Sequence, residues 1–204
     1  MSGQRIAAIV LAAGGSRRLG SAKQLLRDSQ GHSLLVRIVR EAIDAGCDPV
    51  VVVLGAQAAE VREVLGVLEV RAIEPVIFVD NAHWTDGMSS SIRCGIDHIA
   101  SSSCTATLLL ACDQPAVSAA HLRALLAEHR TRGERVVSVY EGVCGIPAVW
   151  PRTDWHALRA LHGDRGARSL LRGDEPAIPL ANGALDLDTP EDVSHWRALD
   201  SEHD

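Results

Sequence analysis

Aromatic side chains are nearly absent: four Trp, one Tyr and one Phe in 204 residues. So small a supply argues against the stacked-base platforms that hold single-stranded nucleic acid. Positive charge is not in excess either. Twenty Lys and Arg stand against 26 Asp and Glu, a net charge of -6. That balance excludes a general nucleic-acid or membrane-surface binder but leaves room for one local basic pocket. No segment is apolar for long enough to span a membrane. The five cysteines, at 47, 94, 104, 112 and 144, form no C-x-x-C pair. An odd, scattered set suits a reducing cytoplasm and mostly buried thiols. The nine histidines show no H-E-x-x-H and no paired metal spacing, so they are expected to be surface or satisfied residues rather than ligands. Met1-Ser2-Gly3-Gln4-Arg5 is too short for the charged part of a leader, and no signal peptide is expected. Repeats and low-complexity tracts are also missing, and the length favours one domain over 1–204.

What the chain does contain is an alternation of strand-like and helix-like segments. Strands are expected at 6–11, 49–54, 76–80, 105–111, 136–140 and 146–150. Helices are expected at 33–45, 56–65, 89–99, 118–131, 154–161, 167–171 and 190–199. Leu34, Leu35, Ile38, Val39 and Ile43 recur at helical spacing, and Gly46 ends that run. The valines of 50–53 read as a strand buried on both faces. Such alternation predicts an α/β fold: a Rossmann-like, mostly parallel sheet with helices on both faces. Ligands of such sheets bind at the carboxyl ends of the strands, near a topological switch point.

The segment after the first strand is the most informative. It runs Leu11-Ala12-Ala13-Gly14-Gly15-Ser16-Arg17-Arg18-Leu19-Gly20-Ser21-Ala22-Lys23. Glycines behind a strand let the backbone turn tightly and present N–H groups to an anion. Arg18 and Lys23 add positive charge. The segment therefore reads as a phosphate loop, against the blander reading of a basic turn after an edge strand. It is not Walker A, because Ser21 rather than Lys follows Gly20. It is not G-x-G-x-x-G, since residues 16 and 19 are Ser and Leu. The nucleophile elbow G-x-S-x-G fails at Arg18.

Four later motifs bear on the same chemistry. Asp113-Gln114-Pro115 follows a hydrophobic strand, so its carboxylate falls on the ligand rim; alone, such an Asp is as often a turn former. With a polyphosphate loop nearby, a Mg²⁺ ligand is the better reading, because Mg²⁺ is held by one or two carboxylates plus substrate phosphates. Leu185-Asp186-Leu187-Asp188-Thr189-Pro190-Glu191-Asp192 reads in its second half as a helix start, with Thr189 as cap and Pro190 at the first position. Asp186 and Asp188 share one face of an extended segment and are not explained by capping. Asp86-Gly87-Met88-Ser89-Ser90-Ser91 could cap a helix. Gly163-Asp164-Arg165-Gly166-Ala167-Arg168 reads as a turn before a basic helix start.

Together these motifs resemble the MobA-like nucleotidyltransferases, and most of all their MocA-like branch, the molybdenum cofactor cytidylyltransferases. The resemblance spans residues 6–196. It rests on Leu-Ala-Ala-Gly-x-Ser-x-Arg-Leu-Gly-x-x-Lys, on Asp113-Gln114-Pro115, on the acidic 186–192 run, on the Gly87–Gly95 segment and on Gly163–Arg168. Three positions depart from the family pattern: Leu19 for Met, Ala22 for Pro, and Ile146 for the His between Gly145 and Pro147. The resemblance implies the fold of nucleotide-diphospho-sugar transferases. It implies that Leu11, Ala12, Ala13, Gly14, Gly15, Ser16, Arg18, Lys23, Gly87, Ser89 and Ser91 bind a nucleotide. Arg18, Lys23 and Asp113 would be catalytic; Mg²⁺ would sit on Asp113 with Asp186 or Asp188; Gly163, Asp164 and Arg168 would meet the acceptor. The implied reaction moves a nucleoside monophosphate from CTP to a molybdopterin-type acceptor in the cytoplasm, with a molybdoenzyme as candidate recipient and neither nucleic acid nor membrane as partner. A guanylyltransferase, a methylerythritol phosphate cytidylyltransferase and a non-catalytic nucleotide- or molybdopterin-binding module remain the alternatives.

Overall fold

The apolar runs of the sequence become the interior strands of a seven-stranded sheet ordered β3-β2-β1-β4-β6-β5-β7. A computed structural model describes residues 4–16, 19–20, 22–68, 76–187 and 189–201. The strands are β1 Ile6–Ala12, β2 Val50–Leu54, β3 Val76–Asp80, β4 Ala106–Ala111, β5 Val136–Tyr140, β6 Val143–Pro151 and β7 Ala177–Pro179. β1 pairs in parallel with both β2 and β4, and β2 with β3. Only β6 runs against its neighbours. The chain leaves β1 for β2 on one side and returns to β4 on the other, so the switch point lies between the carboxyl ends of β1 and β4.

Both faces are covered, as a parallel sheet requires. Alternate residues of β1 divide between the two cores. Ile6, Ala8 and Val10 pack with α1 (Leu34–Asp44), Val61 of α2 (Ala58–Leu68) and α4 (Ala119–Arg132). Ala7 and Ile9 pack with α3 (Met88–Ile99) and α5 (Trp155–Arg159). All five β2 residues are fully buried, which explains why that strand shows no polar alternation. A third, smaller cluster joins Leu34 and Leu19 to Leu187, Val193 and Trp196, docking α6 (Pro190–Ser201) beside the loop after β1.

Helix starts follow their local chemistry. Ser33 and Ser118 each accept a backbone N–H from three residues on. Thr189 and Asp192 bond reciprocally, the hydroxyl accepting from Asp192 N at 3.2 Å and the carboxylate accepting from Thr189 N at 2.8 Å, a capping box closed by Asp. Several expectations need correction. The 154–161 helix is a 3-10 turn, Arg152–Asp154, followed by a short α5, and 167–171 is a 3-10 turn at Ala167–Leu170. Turns of that length have no amphipathic period to read. β7 was not expected: it is three residues long and pairs only with β5.

Beside the antiparallel pair, Ser138 donates to the Pro147 carbonyl at 2.7 Å. His121 Nε2 therefore donates its proton to Ser138 Oγ, 2.8 Å away. Burial lowers the His121 pKa below its ordinary 6.5. The unfolded chain then binds this proton more readily than the folded one, so stability falls as pH drops below about 6.5 toward the lower folded value. Urea midpoints of His121→Gln are expected to fall less steeply over that window than those of the wild type. Superimposable profiles would show that His121 is not a source of the slope.

Candidate functional site

The loop after β1 is held by two staples supplied from the 3-10 turn Lys23–Leu25. Lys23 N donates to Ser16 Oγ at 3.1 Å. Gln24, fully buried, donates through Nε2 to the carbonyls of Ala12 at 2.7 Å and Gly14 at 3.1 Å. The left-handed positions of the loop are Ser16, with φ +45°, and Gly20, with φ +72°, and not Gly14 or Gly15. A Cβ on Gly14 would meet nothing within 4 Å. Its bareness is thus not demanded by the chain's own packing and keeps open the space in front of the loop.

That space is a cavity of about 490 Å³ bordered by Leu11, Ala13, Gly14, Gly15, Lys23, Trp84, Thr85, Gly87, Met88, Ser91, Ala111, Cys112, Asp113 and Asp164. Trp84 stands on the 3-10 turn Trp84–Asp86 and packs across the end of β2. A Cβ on Gly55 would come within 2.6 Å of the Trp84 Cβ and 2.7 Å of the Ala13 carbonyl, so only glycine lets Trp84 approach the loop. Asn81 ties the start of α3 to this turn, donating to Ser90 Oγ at 2.8 Å and Ser91 Oγ at 3.1 Å while its carbonyl accepts from Trp84 N.

A second cavity, of about 350 Å³, adjoins the first. Leu11, Met88, Ala111, Asp113 and Asp164 border both. The second is completed by Ile92, Leu109, Gln114, Tyr140, Gly145, Ile146, Gly166, Ala167, Arg168 and Asp186. Asp113 stands at the junction and forms an ion pair with Lys23, their side chains 17% and 13% exposed respectively. Two segments 90 residues apart in sequence thus meet at the switch point. A third segment is drawn in because Leu187 N donates to the Asp113 carbonyl at 3.3 Å, which places Asp186 on the same cleft.

Burial, with Asp113 adding to it, pushes the Cys112 thiol far up; a protonated thiol is a poor nucleophile. Tyr140 is raised mainly by burial and then by Asp186. No group of three or more His, Cys, Asp or Glu able to hold a metal occurs among the described residues. Asp113 and Asp186 on one cleft still fit Mg²⁺, which needs few protein carboxylates when substrate phosphates complete its shell. A further cavity of about 300 Å³, around Arg135, is of another kind. Arg135 bonds Asp154 and the Leu170 carbonyl and lies 4.8 Å over the Trp150 ring, so its charge is used internally.

The structure brings Leu11, Ala13, Gly14, Gly15, Lys23, Gly87, Ser91, Asp113, Asp164, Arg168 and Asp186 to one cleft. Ala12 is buried beneath the loop, and Ser16 serves as its staple. Ser89 is fully buried, its hydroxyl 3.4 Å from Arg93 Nη1, and it borders neither cavity. The three serines do not cap α3 either: Gly87 occupies that position. Gly163 borders neither cavity; its carbonyl accepts from Ser89 N at 3.2 Å. Arg18 and Asp188 lie outside the described residues. Sequence reasoning missed Gln24, Trp84 and Tyr140. A low aromatic count predicts few platforms but says nothing of where the few rings stand.

Fold and cleft define an α/β protein with a glycine loop, a lysine and a carboxylate gathered at the switch point of its sheet. Residues 8–178 match the MobA-like NTP transferase domain, and the chain belongs to that family. It is a nucleotidyltransferase of the MobA-like type, related to molybdenum cofactor guanylyltransferases. A probable molybdenum cofactor guanylyltransferase of Opitutus terrae is 33% identical over 82% of this chain and 76% of its own. The nicotine blue oxidoreductase of Paenarthrobacter nicotinovorans is 31% identical over 92% of this chain and 91% of its own. Among solved structures, Rv0371c of Mycobacterium tuberculosis superimposes with a TM-score of 0.77 at 30% identity, covering 96% of this chain and 98% of that one. A manganese complex of Rv0371c superimposes with a TM-score of 0.71, covering 96% and 98%. No helix among the described residues is long and apolar enough to cross a membrane.

Proposed function

We propose that this chain, acting as one domain in the cytoplasm, transfers the nucleoside monophosphate of CTP to a phosphorylated acceptor of the molybdopterin type. The observation that supports this best is the Lys23–Asp113 pair at the junction of two adjoining cavities. The first cavity would take the nucleotide, the second the acceptor. An oxygen of the acceptor's phosphate attacks the α-phosphorus, the α–β P–O bond breaks, and pyrophosphate leaves with that bond's electrons. The acceptor already carries its charge, so no protein nucleophile is needed, and catalysis comes from alignment and charge neutralisation. Backbone N–H groups at Gly14 and Gly15, with Lys23 and Arg18, would hold the β- and γ-phosphates. Asp113, with Asp186 or Asp188, would hold Mg²⁺, which when bound neutralises phosphate oxygens. Gly87 and Ser91 would face the base and ribose, and Asp164 and Arg168 the acceptor. A molybdoenzyme would receive the product.

The test is a pyrophosphate-release screen of four nucleoside triphosphates against molybdopterin and methylerythritol phosphate, with and without Mg²⁺. CTP with molybdopterin and Mg²⁺ is the expected pair. GTP turnover in its place would make the protein a guanylyltransferase, the activity in the name of the Opitutus relative. Nucleotide binding without pyrophosphate from any pair would leave a non-catalytic module. A second reading comes from the relative named nicotine blue oxidoreductase. Against it stands the loop after β1, which lacks the G-x-G-x-x-G dinucleotide pattern. Adding NADH and NADPH consumption to the screen separates the two.

The staple makes its own prediction. Gln24→Leu keeps the volume but strips both donors from the Ala12 and Gly14 carbonyls. The Michaelis constant for nucleotide is expected to rise about tenfold, the factor that 1.4 kcal/mol brings, with kcat changed far less. An unchanged constant would show that the loop keeps its shape unaided.

A further inference from the structure

Arg93 borders neither cavity, yet it holds a loop that borders both. We propose that Arg93 is a positioning residue. It clasps the 161–168 loop to the first turns of α3, so that the wall of the nucleotide cavity fixes the groups that face the acceptor. The proposal rests on the transferase reading, since it says how one substrate's site supports the other's. Two carbonyls of the loop carry the clasp. That of Leu161, just past α5, accepts from Arg93 Nη1. The same nitrogen lies 3.4 Å from Ser89 Oγ, which aims the guanidinium along the helix. A charged donor makes a bond roughly twice as strong as a neutral one. The carbonyl of Gly163 accepts from Ser89 N at 3.2 Å, one of the opening N–H groups that a helix cannot pair within itself. Leu161 is buried in the same core as Ile92 and Ile96 of α3 and Leu158 of α5.

Loop and helix meet closely. A Cβ on Gly87 would come within 2.5 Å of the Gly163 carbonyl oxygen and of Asp164 Oδ1, so only glycine admits the loop to the helix start. α3 is seated as tightly on the sheet, where a Cβ on Gly95 would come within 2.6 Å of Ile9. The helix is therefore a fixed platform between β1, which leads into the glycine loop, and the 161–168 loop. Asp164 borders both cavities, and Gly166, Ala167 and Arg168 border the second. Asp164 shares the first cavity with Gly87 and Ser91, on the side assigned above to base and ribose. A carboxylate there can accept from a hydroxyl or an amino group. A loop lifted from α3 would take that acceptor away. Nucleotide thus favours the docked loop, and by reciprocity the docked loop, with Arg168 in place, favours nucleotide and acceptor together.

Hydrogen exchange at the Ser169 and Leu171 amides reads the docking of the loop. Their N–H groups bond to the Gly166 and Arg168 carbonyls, and neither residue borders a cavity. Arg93→Met keeps an unbranched stem and removes the donor. Exchange at both amides is expected to quicken about tenfold, the effect of losing one hydrogen bond from a charged group. In the wild type, CTP or GTP with Mg²⁺ should slow it by about fivefold. With molybdopterin or methylerythritol phosphate as acceptor, Arg93→Met should raise the acceptor's Michaelis constant about fivefold and leave that of the nucleotide within about twofold. General destabilisation would not split the two constants. Arg93→Lys, which keeps one charged donor, should recover most of the loss. Unchanged exchange in Arg93→Met, equal shifts of both constants, or a wild-type loop that ignores both nucleotides overturns the proposal. The last result needs no variant to fold. The two readings fail separately. Exchange that answers to Arg93 and to nucleotide, without pyrophosphate from any pair, would keep the clasp and remove the transferase reading. Turnover whose constants ignore Arg93 would do the reverse.

Discussion

Lys23→Met lowers turnover by about a thousandfold, the upper range for removing one preorganised donor from a developing charge, while the fold stays intact. Methionine keeps the length of the side chain and its packing but removes the ammonium. Under the proposed reaction, Lys23 faces phosphates whose negative charge grows on the leaving pyrophosphate. In the structure the same ammonium is paired with Asp113. That pairing adds a second consequence with the opposite sign. A metal ion must compete with Lys23 for the Asp113 carboxylate, so removing the lysine should tighten binding of Mn²⁺ to the protein without nucleotide. Electron paramagnetic resonance of free Mn²⁺ measures this apart from activity. Loss of turnover together with gain of metal affinity identifies the pair as two halves of one site. Near wild-type pyrophosphate release would remove Lys23 from the mechanism.

Asp113→Asn should lower turnover to a similar extent, about a thousandfold, for the complementary reason. The amide preserves shape but cannot offer a metal the charge of a carboxylate. With EDTA present, where no metal contributes, the variant should bind CTP at least as tightly as the wild type, because Lys23 is no longer neutralised by its partner. With Mg²⁺ present the order should reverse. Thermal melts serve as the control. Turnover within a few fold of the wild type would mean that the carboxylate at the cavity junction does not hold the metal, and the roles given to Asp186 and Asp188 would need to carry it alone.

Much of this architecture is legible along the chain. The valines of β2 and the apolar residues of β1 and β4 declare strands buried on both faces, and the structure buries every residue of β2 completely. Ser33, Ser118 and Thr189 mark helix starts through bonds to residues three positions away. The glycine loop after β1, Asp113 and the acidic 185–192 run are visible because each is a continuous motif. The misses share a cause. β7 and the 3-10 turns at Lys23–Leu25 and Trp84–Asp86 are too short to show a period. Of the glycines in the loop after β1 only Gly20 takes the left-handed conformation; Ser16 takes it too, and its hydroxyl accepts from Lys23 N.

Local sequence therefore determined the strands, the helices and the residue types from which a phosphate site could be made, since pattern, capping and turn chemistry act within a few residues. Only the tertiary structure decided what shares a cleft. The lateral order of the strands sets the carboxyl end of β1 beside that of β4, and so puts Lys23 against Asp113. The docking of α6 and the bond from Leu187 N to the Asp113 carbonyl help bring in Asp186. Gly183, distant in the chain, closes the slot for Tyr140. Such contacts are long-range consequences of packing two cores around one sheet, and no window of sequence contains both partners.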